Sequence, residues 1–172
     1  MKLHPAWLAS ALLALSVAAA PALGGQSATR DGQPADPLAV NLALPFASDL
    51  SGARRAPVFA WIEDVAGARN VWVGGSDIPA HARTTYTGDE GVELSEPQLS
   101  QDGRRLLFVR GGDAEFPEAN APNTGIALEA PEQALFVADV VGSQAPVKIG
   151  LGHGAAFSQD GMRVAYTRKG EI

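Results

Sequence analysis

The sequence predicts an all-β protein, and three observations carry that prediction. The stretch 100–110 recurs 58 positions later as 158–168, and each copy contains an Asp-Gly pair. Each Asp-Gly pair is followed by a short run of aliphatic, β-branched or aromatic residues, which are typical of strands. The 172 residues also include 19 Gly and 12 Pro, as expected of a chain with many turns.

The repeated turn has the same residue types in both copies. Asp-Gly is a strong hairpin signal, because Gly takes a positive φ without steric cost and the Asp carboxylate accepts backbone N–H groups within the turn. We therefore predict a structural turn motif formed by Ser100, Asp102, Gly103, Ser158, Asp160 and Gly161. A hairpin that repeats in this way has two faces to bury, so it must stack against neighbouring copies.

The strands follow from the apolar runs. The run 106–109 is wholly apolar, which predicts a strand that is covered on both faces. The predicted strands, in chain order, are 58–62, 70–73, a weaker one at 83–87, 97–99, 105–110, 134–139, 146–149, 155–157 and 164–168. Aligning the apolar centres of the first two copies places Trp61 with Arg110 and Trp72 with Phe136. Trp72 is interpreted as core between blades, and Trp61 as core, with a residue of the ring channel as the alternative.

Each repeat thus contains four antiparallel strands, which is the composition of one β-propeller blade. Residues 46–172 are predicted to form an incomplete β-propeller of about two and a half blades. Because an unclosed array leaves apolar faces and strand edges in water, we expect the chain to be the N-terminal piece of a longer protein. The alternative is a short chain that closes its ring by oligomerising.

The beginning of the chain predicts export. Residues 1–25 read as a signal peptide, with Lys2 and His4 before an apolar run at 6–20 that is shorter than the ~20 residues of a spanning helix. An uncleaved membrane anchor is the alternative. A periplasmic or secreted protein is expected, with no membrane span after cleavage. Residues 26–45 are predicted to be a linker, and their prolines disfavour a helix.

Composition limits the chemistry of the chain. Cysteine is absent, so neither a disulfide framework nor a thiolate metal site is possible. The net charge of −6 and the lack of a basic stripe argue against a nucleic-acid partner. His81 and His153 are isolated in the sequence and are interpreted as surface or turn histidines. No metal site and no cofactor is predicted.

The turn motif resembles a known repeat. Ser-Gln-Asp-Gly-Arg-Arg-Leu-Leu-Phe-Val is similar to the Ser-Pro-Asp-Gly repeat of TolB-type propellers and of the propeller in prolyl-oligopeptidase-type serine peptidases, particularly dipeptidyl peptidase IV-like ones. Gln101 and Gln159 stand where those families usually have Pro. The resemblance covers about residues 46–172. The sialidase Asp-box fits less well, because here Gly directly follows Asp.

In those peptidases a Ser-Asp-His triad lies on an α/β-hydrolase domain that follows the propeller, with the nucleophile in a Gly-x-Ser-x-Gly elbow. The 172 residues contain no such elbow, so no catalytic residue is assigned. The resemblance implies that the propeller gates the access of a peptide substrate to a hydrolase domain that this chain lacks. The alternative is a non-catalytic, TolB-like periplasmic propeller that binds envelope proteins.

The insert 111–133 is the one segment for which a direct role is expected. It interrupts a blade where a short turn would serve, and it carries five acidic and no basic residues. Dipeptidyl peptidase IV-like enzymes use glutamates from a propeller insertion to hold the cationic N-terminus of a peptide. The resemblance therefore implies Glu115 and Glu118 as substrate-binding candidates. The alternative is a solvated surface loop.

Overall fold

The structure, a computed structural model, describes residues 36–112 and 131–168. The predicted signal peptide and residues 26–35 of the predicted linker lie outside these ranges. Within them the chain forms one short helix and ten strands. Their bounds are α1 (Pro37–Leu42), β1 (Phe46–Gly52), β2 (Val58–Val65), β3 (Ala68–Gly75), β4 (His81–Ala82), β5 (Leu94–Leu99), β6 (Arg105–Arg110), β7 (Ala134–Asp139), β8 (Val147–Leu151), β9 (His153–Phe157) and β10 (Val164–Thr167).

The strands form three antiparallel sheets. Sheet A has the order β1-β2-β3-β4 and sheet B the order β5-β6-β7-β8. Sheet C pairs β9 with β10. The prediction of four-stranded antiparallel sheets is therefore confirmed for sheets A and B. The described residues do not form a closed propeller.

Sheet B is covered on both faces. Leu106 and Phe108 of β6 are fully buried in a cluster with Val58, Ala60 and Ile62 of β2. Leu107 of β6, from the opposite face of the strand, packs in a second cluster that includes Ala155 of β9. Side chains alternate between the faces of a strand, so one apolar run supplies both clusters. The prediction of a strand buried on both faces is confirmed.

The registers of sheets A and B correct the predicted alignment of the two copies. Trp61 lies opposite Trp72, and Phe108 lies opposite Phe136. Both pairs are stacked, with ring centroids 6.3 Å and 5.4 Å apart. Trp61 in sheet A thus corresponds to Phe108 in sheet B. The predicted alignment had placed Trp61 with Arg110, which lies two residues after Phe108. A shift of two residues keeps the face of a strand, so the pattern alone does not reveal it.

The interpretation of the two tryptophans as core residues is wrong. Val58, Ala60 and Ile62 occupy the buried face of β2, so alternation places Trp61 on the opposite face. Trp61 and Trp72 are half-buried there, and the neighbouring Phe59 is 48% exposed. The aromatic face of sheet A lies on the side away from sheet B.

The expectation that residues 26–45 contain no helix is wrong, because α1 begins at Pro37. The first position of a helix tolerates proline, since its N–H group would have no partner within the helix. Asp36 caps the helix, and its Oδ1 accepts a hydrogen bond from the Leu38 amide at 3.0 Å. Pro37 therefore starts the helix that it was expected to prevent.

The predicted strand at 83–87 is also wrong, since only His81 and Ala82 pair with β3. Side chains replace most of the ladder beyond that point. The Thr84 hydroxyl accepts from the Val71 amide and donates to Asn70 Oδ1, both at 2.9 Å. The Tyr86 amide donates to the same Asn70 oxygen at 2.8 Å. Beyond Arg83, whose amide donates to the Val71 carbonyl at 2.7 Å, the segment is held to β3 by side chains.

Candidate functional site

The predicted substrate-binding residues, Glu115 and Glu118, lie outside the described residues, but both ends of their insert are described. The insert leaves sheet B between its two central strands, where Arg110 pairs with Ala134. The Gly111 amide donates to the Glu93 carbonyl at 2.8 Å, and the Gly152 amide donates to the Gln133 carbonyl at 3.0 Å. We call residues 110–112 and 131–134 the neck of the insert. These two hydrogen bonds tie each side of the neck to the segment next to it, and the pairing of Arg110 with Ala134 joins the two sides.

An aromatic and ionic cluster lies on one side of the neck. Arg110 forms an ion pair with Glu90, and its guanidinium carbon lies 4.6 Å from the centroid of the Tyr86 ring. Burial raises the pKa of the Tyr86 hydroxyl; the charge of Arg110 acts in the opposite direction, and that of Glu90 adds to the rise. Tyr86 therefore stays protonated at neutral pH and can donate a hydrogen bond.

The other side of the neck is held by a second ion pair, between Lys148 of β8 and Glu132. Both partners are substantially exposed, with side-chain exposures of 41% and 63%. Exposed pairs of this kind contribute little to stability, typically about 0–1 kcal/mol. Because Glu132 is paired with Lys148, its substitution serves as a control for substitutions of the other glutamates of the insert.

Sequence reasoning missed a carboxylate at the join between sheets B and C. Glu96 has a φ of +52° at an irregularity in the pairing of β5 with β6. Its Oε2 accepts hydrogen bonds from the amides of Gly154, at 2.9 Å, and Ala155, at 3.4 Å. Asp49 has a φ of +53° at the matching irregularity in sheet A. These are the only two non-glycine strand residues with positive φ in the described ranges.

The predicted turn motif has the same hydrogen bonds in both copies. Ser100 Oγ donates to Asp102 Oδ1 at 2.6 Å, and Ser158 Oγ donates to Asp160 Oδ1 at 2.6 Å. Each serine oxygen also accepts from the amide five residues later, at 3.0 Å for Arg105 and 2.9 Å for Arg163. Gly103 has a φ of +70° and Gly161 a φ of +68°. The six residues therefore act as turn formers in this structure.

Asp102 should give the turn a dependence on pH. The Ser100 hydroxyl lowers the pKa of the Asp102 carboxyl most, followed by the Arg104 amide. A lowered pKa in the folded state stabilises the fold at neutral pH, and this contribution is lost as the pH falls through the lowered value. At pH 7 we expect Asp102→Asn to have a lower free energy of unfolding than wild type. The difference should be less than about 1 kcal/mol, because the Asp102 carboxylate is exposed.

Urea unfolding of wild type and Asp102→Asn from pH 7 down to pH 2 checks the expectation. The difference between their free energies of unfolding should disappear as the pH falls. Asp77→Asn, on an exposed loop after β3, is the matched control and should show no such gap. A gap that widens as the pH falls would contradict the assignment of the Asp102 hydrogen bonds.

The two histidines differ in burial. His153 is only 8% exposed at the start of β9, so its interpretation as a surface or turn residue is wrong. His81 is half-buried, and its ring nitrogens lie 2.9 Å from the Pro79 carbonyl oxygen and 3.1 Å from the Val140 carbonyl oxygen. Val140 follows β7, so His81 joins sheet A to sheet B. Its role in this structure is to connect the sheets.

Comparison with known proteins leaves the family open. No protein-family model matches the chain, and no curated protein matches it. Among the described residues, no three His, Asp or Glu side chains are grouped as metal ligands would be. None of the helices in ranges 36–112 and 131–168 is long and apolar enough to cross a membrane.

Proposed function

We propose that this chain is the N-terminal propeller region of an exported, dipeptidyl peptidase IV-like serine peptidase. In this proposal the stacked sheets are blades that restrict access to a catalytic α/β-hydrolase domain, and the hydrolase domain performs the chemistry. The observation that carries the proposal is the insert between β6 and β7. A 23-residue excursion at 111–133 is far longer than the hairpin needs, and its two ends meet in a closed neck.

The neck anchors both ends of the insert to the described sheets. Backbone hydrogen bonds tie it to Glu93 and Gly152, and ion pairs flank it on both sides. A segment rooted in this way can present carboxylates at a reproducible position. Glu115 and Glu118 would then hold the ammonium group of a peptide substrate through charge-assisted hydrogen bonds.

The test uses the protein encoded by the complete reading frame. Changing Glu115 and Glu118 together to Gln should raise KM for a dipeptidyl p-nitroanilide with a free N-terminus by about tenfold or more, because each bond to a charged group contributes about 1.5–3 kcal/mol. KM for an N-acetylated substrate should not change. Glu132→Gln is the matched control, since Glu132 is already paired with Lys148.

An unchanged KM for the free N-terminus would remove the roles of Glu115 and Glu118. A reading frame with no Gly-x-Ser-x-Gly domain, or a protein with no peptidase activity, would overturn the peptidase proposal itself. Further repeats that end in a stop codon would instead favour a TolB-like propeller that binds envelope proteins.

A further inference from the structure

A cleft of about 480 Å³ lies between sheets A and B. One wall is formed by Ala82 of β4 and the residues 83–86 after it, and the other by Phe136 of β7 and the residues 143–146. Pockets that bind small molecules have volumes of about 300–1,000 Å³. The cleft is therefore large enough for a small organic ligand or a few residues of peptide.

Arg83 supplies a buried positive charge to this cleft. The residue is only 8% exposed. Its Nη1 donates to the Gly142 carbonyl at 2.6 Å, and its Nη2 donates to the Gln144 carbonyl at 3.0 Å. Its Nε is buried and has no hydrogen-bond partner in the part of the chain that the structure describes. Two carbonyls thus use two of the five N–H groups of the guanidinium.

No acidic residue in the described ranges pairs with this charge. Among residues 36–112 and 131–168, no carboxylate oxygen lies within salt-bridge distance of Arg83. A guanidinium stays protonated in proteins, and carbonyl groups orient it without cancelling its charge. A buried charge without a counter-ion is costly, and an anion placed nearby offsets that cost.

The rest of the lining indicates what kind of anion fits. Thr85, Tyr86 and Ser143 bring hydroxyl groups to the cleft, and Tyr86 stays protonated for the reason given above. Phe136 and Pro146 add apolar surface, and none of the lining residues is acidic. Hydroxyl donors and one cation suit a carboxylate, and the apolar walls suit an organic body that carries it.

We propose that the cleft between sheets A and B binds an organic carboxylate, with Arg83 as its charge partner. The carboxylate comes either from a small organic acid or from an acidic side chain of a peptide, and the chemistry of recognition is the same for both. This site does not rest on the proposed peptidase activity, since none of the described insert residues, 111–112 and 131–133, lines it. It borders the neck through Tyr86, whose ring lies beside Arg110.

The experiment is a titration of the ¹⁵N-labelled chain, followed through the Nε–H signal of Arg83. Sodium acetate, a blocked Ala-Glu-Ala tripeptide and a blocked Ala-Gln-Ala tripeptide are added in turn, with sodium chloride as the reference at the same ionic strength. We expect a saturable shift with acetate and with the Glu peptide, and none with the Gln peptide or with chloride. Tighter binding of the Glu peptide than of acetate identifies a peptide ligand, and equal binding identifies a small acid.

Variants test the site without removing Arg83, whose loss could unfold the join between the sheets. Thr85→Glu places a carboxylate in the cleft and should weaken binding by about tenfold or more, through like-charge repulsion and competition for Arg83. Thr87→Glu, which follows Tyr86 and lies outside the lining, is the matched control and should bind as wild type does. The proposal would be overturned if acetate and the Glu peptide gave no more shift of the Arg83 signal than chloride does. It would also be overturned if the Thr85→Glu and Thr87→Glu variants bound the Glu peptide with equal affinity.

Discussion

Phe108→Ala is expected to lower the free energy of unfolding by about 3–5 kcal/mol, the range for removing a large aromatic side chain from a core. Phe108 is fully buried in the cluster between sheets A and B. Its ring stacks on Phe136 with 5.4 Å between centroids. The substitution therefore leaves a cavity at the contact of two sheets, and urea unfolding followed by tryptophan fluorescence measures the loss.

Phe59→Ala is the matched control for this prediction. Phe59 is also an aromatic residue on the second strand of its sheet, but it is 48% exposed on the face of sheet A away from sheet B. We expect a loss of less than about 1.5 kcal/mol there, because about half of the residue stays in water on folding. Equal losses for the two variants would mean that the cluster between the sheets is not the core.

The parts of the fold that sequence reasoning predicted are those that local chemistry determines. The Asp-Gly turns depend on residues within five positions of one another, so Ser100 and Asp102 are sufficient to identify the first of them. The central strands of sheet B were predicted at their observed bounds, because each is an apolar run between turn residues. Fold class and strand order follow from such local signals.

The helix at Pro37 was missed although its signals, Asp36 and Pro37, are local, whereas two other errors arise where a contact distant in sequence decides the structure. Thr84 and Tyr86 hydrogen-bond to Asn70, and these contacts replace the predicted strand at 83–87. Trp61 has the residue type of a core position, but its sheet has no described neighbour on that face. Neither fact can be read from a window of adjacent residues.

The same reason explains how much of the candidate site was predicted. The insert was visible as an acidic interruption, whereas the Arg83 cleft depends on carbonyls 59 and 61 residues away in the chain. A single arginine in a turn-rich segment has no sequence signal for burial. Glu96 is similar, because its amide partners lie 58 and 59 residues away.

Gly111→Ala is expected to destabilise the protein by about 2–5 kcal/mol, combining the cost of a left-handed conformation with overlap in a packed site. Gly111 has a φ of +83°, and a Cβ atom there would lie 2.2 Å from the Glu132 carbonyl oxygen. That oxygen belongs to the backbone on the other side of the neck, so the overlap is relieved only if the neck opens. Hydrogen exchange at the amides of Arg110 and Ala134, together with urea unfolding, measures the effect.

Gly88→Ala provides the control, because a Cβ atom at Gly88 would meet no atom within 4 Å. Gly88→Ala should alter the free energy of unfolding by less than about 1 kcal/mol. The change is stabilising if alanine reduces the conformational entropy of the unfolded chain more than that of the folded chain. If the neck presents the insert as proposed, Gly111→Ala should also raise KM of the complete protein for substrates with a free N-terminus. A Gly111→Ala variant as stable as Gly88→Ala would show that the neck is open in solution, and the insert would then have no fixed base from which to hold a substrate.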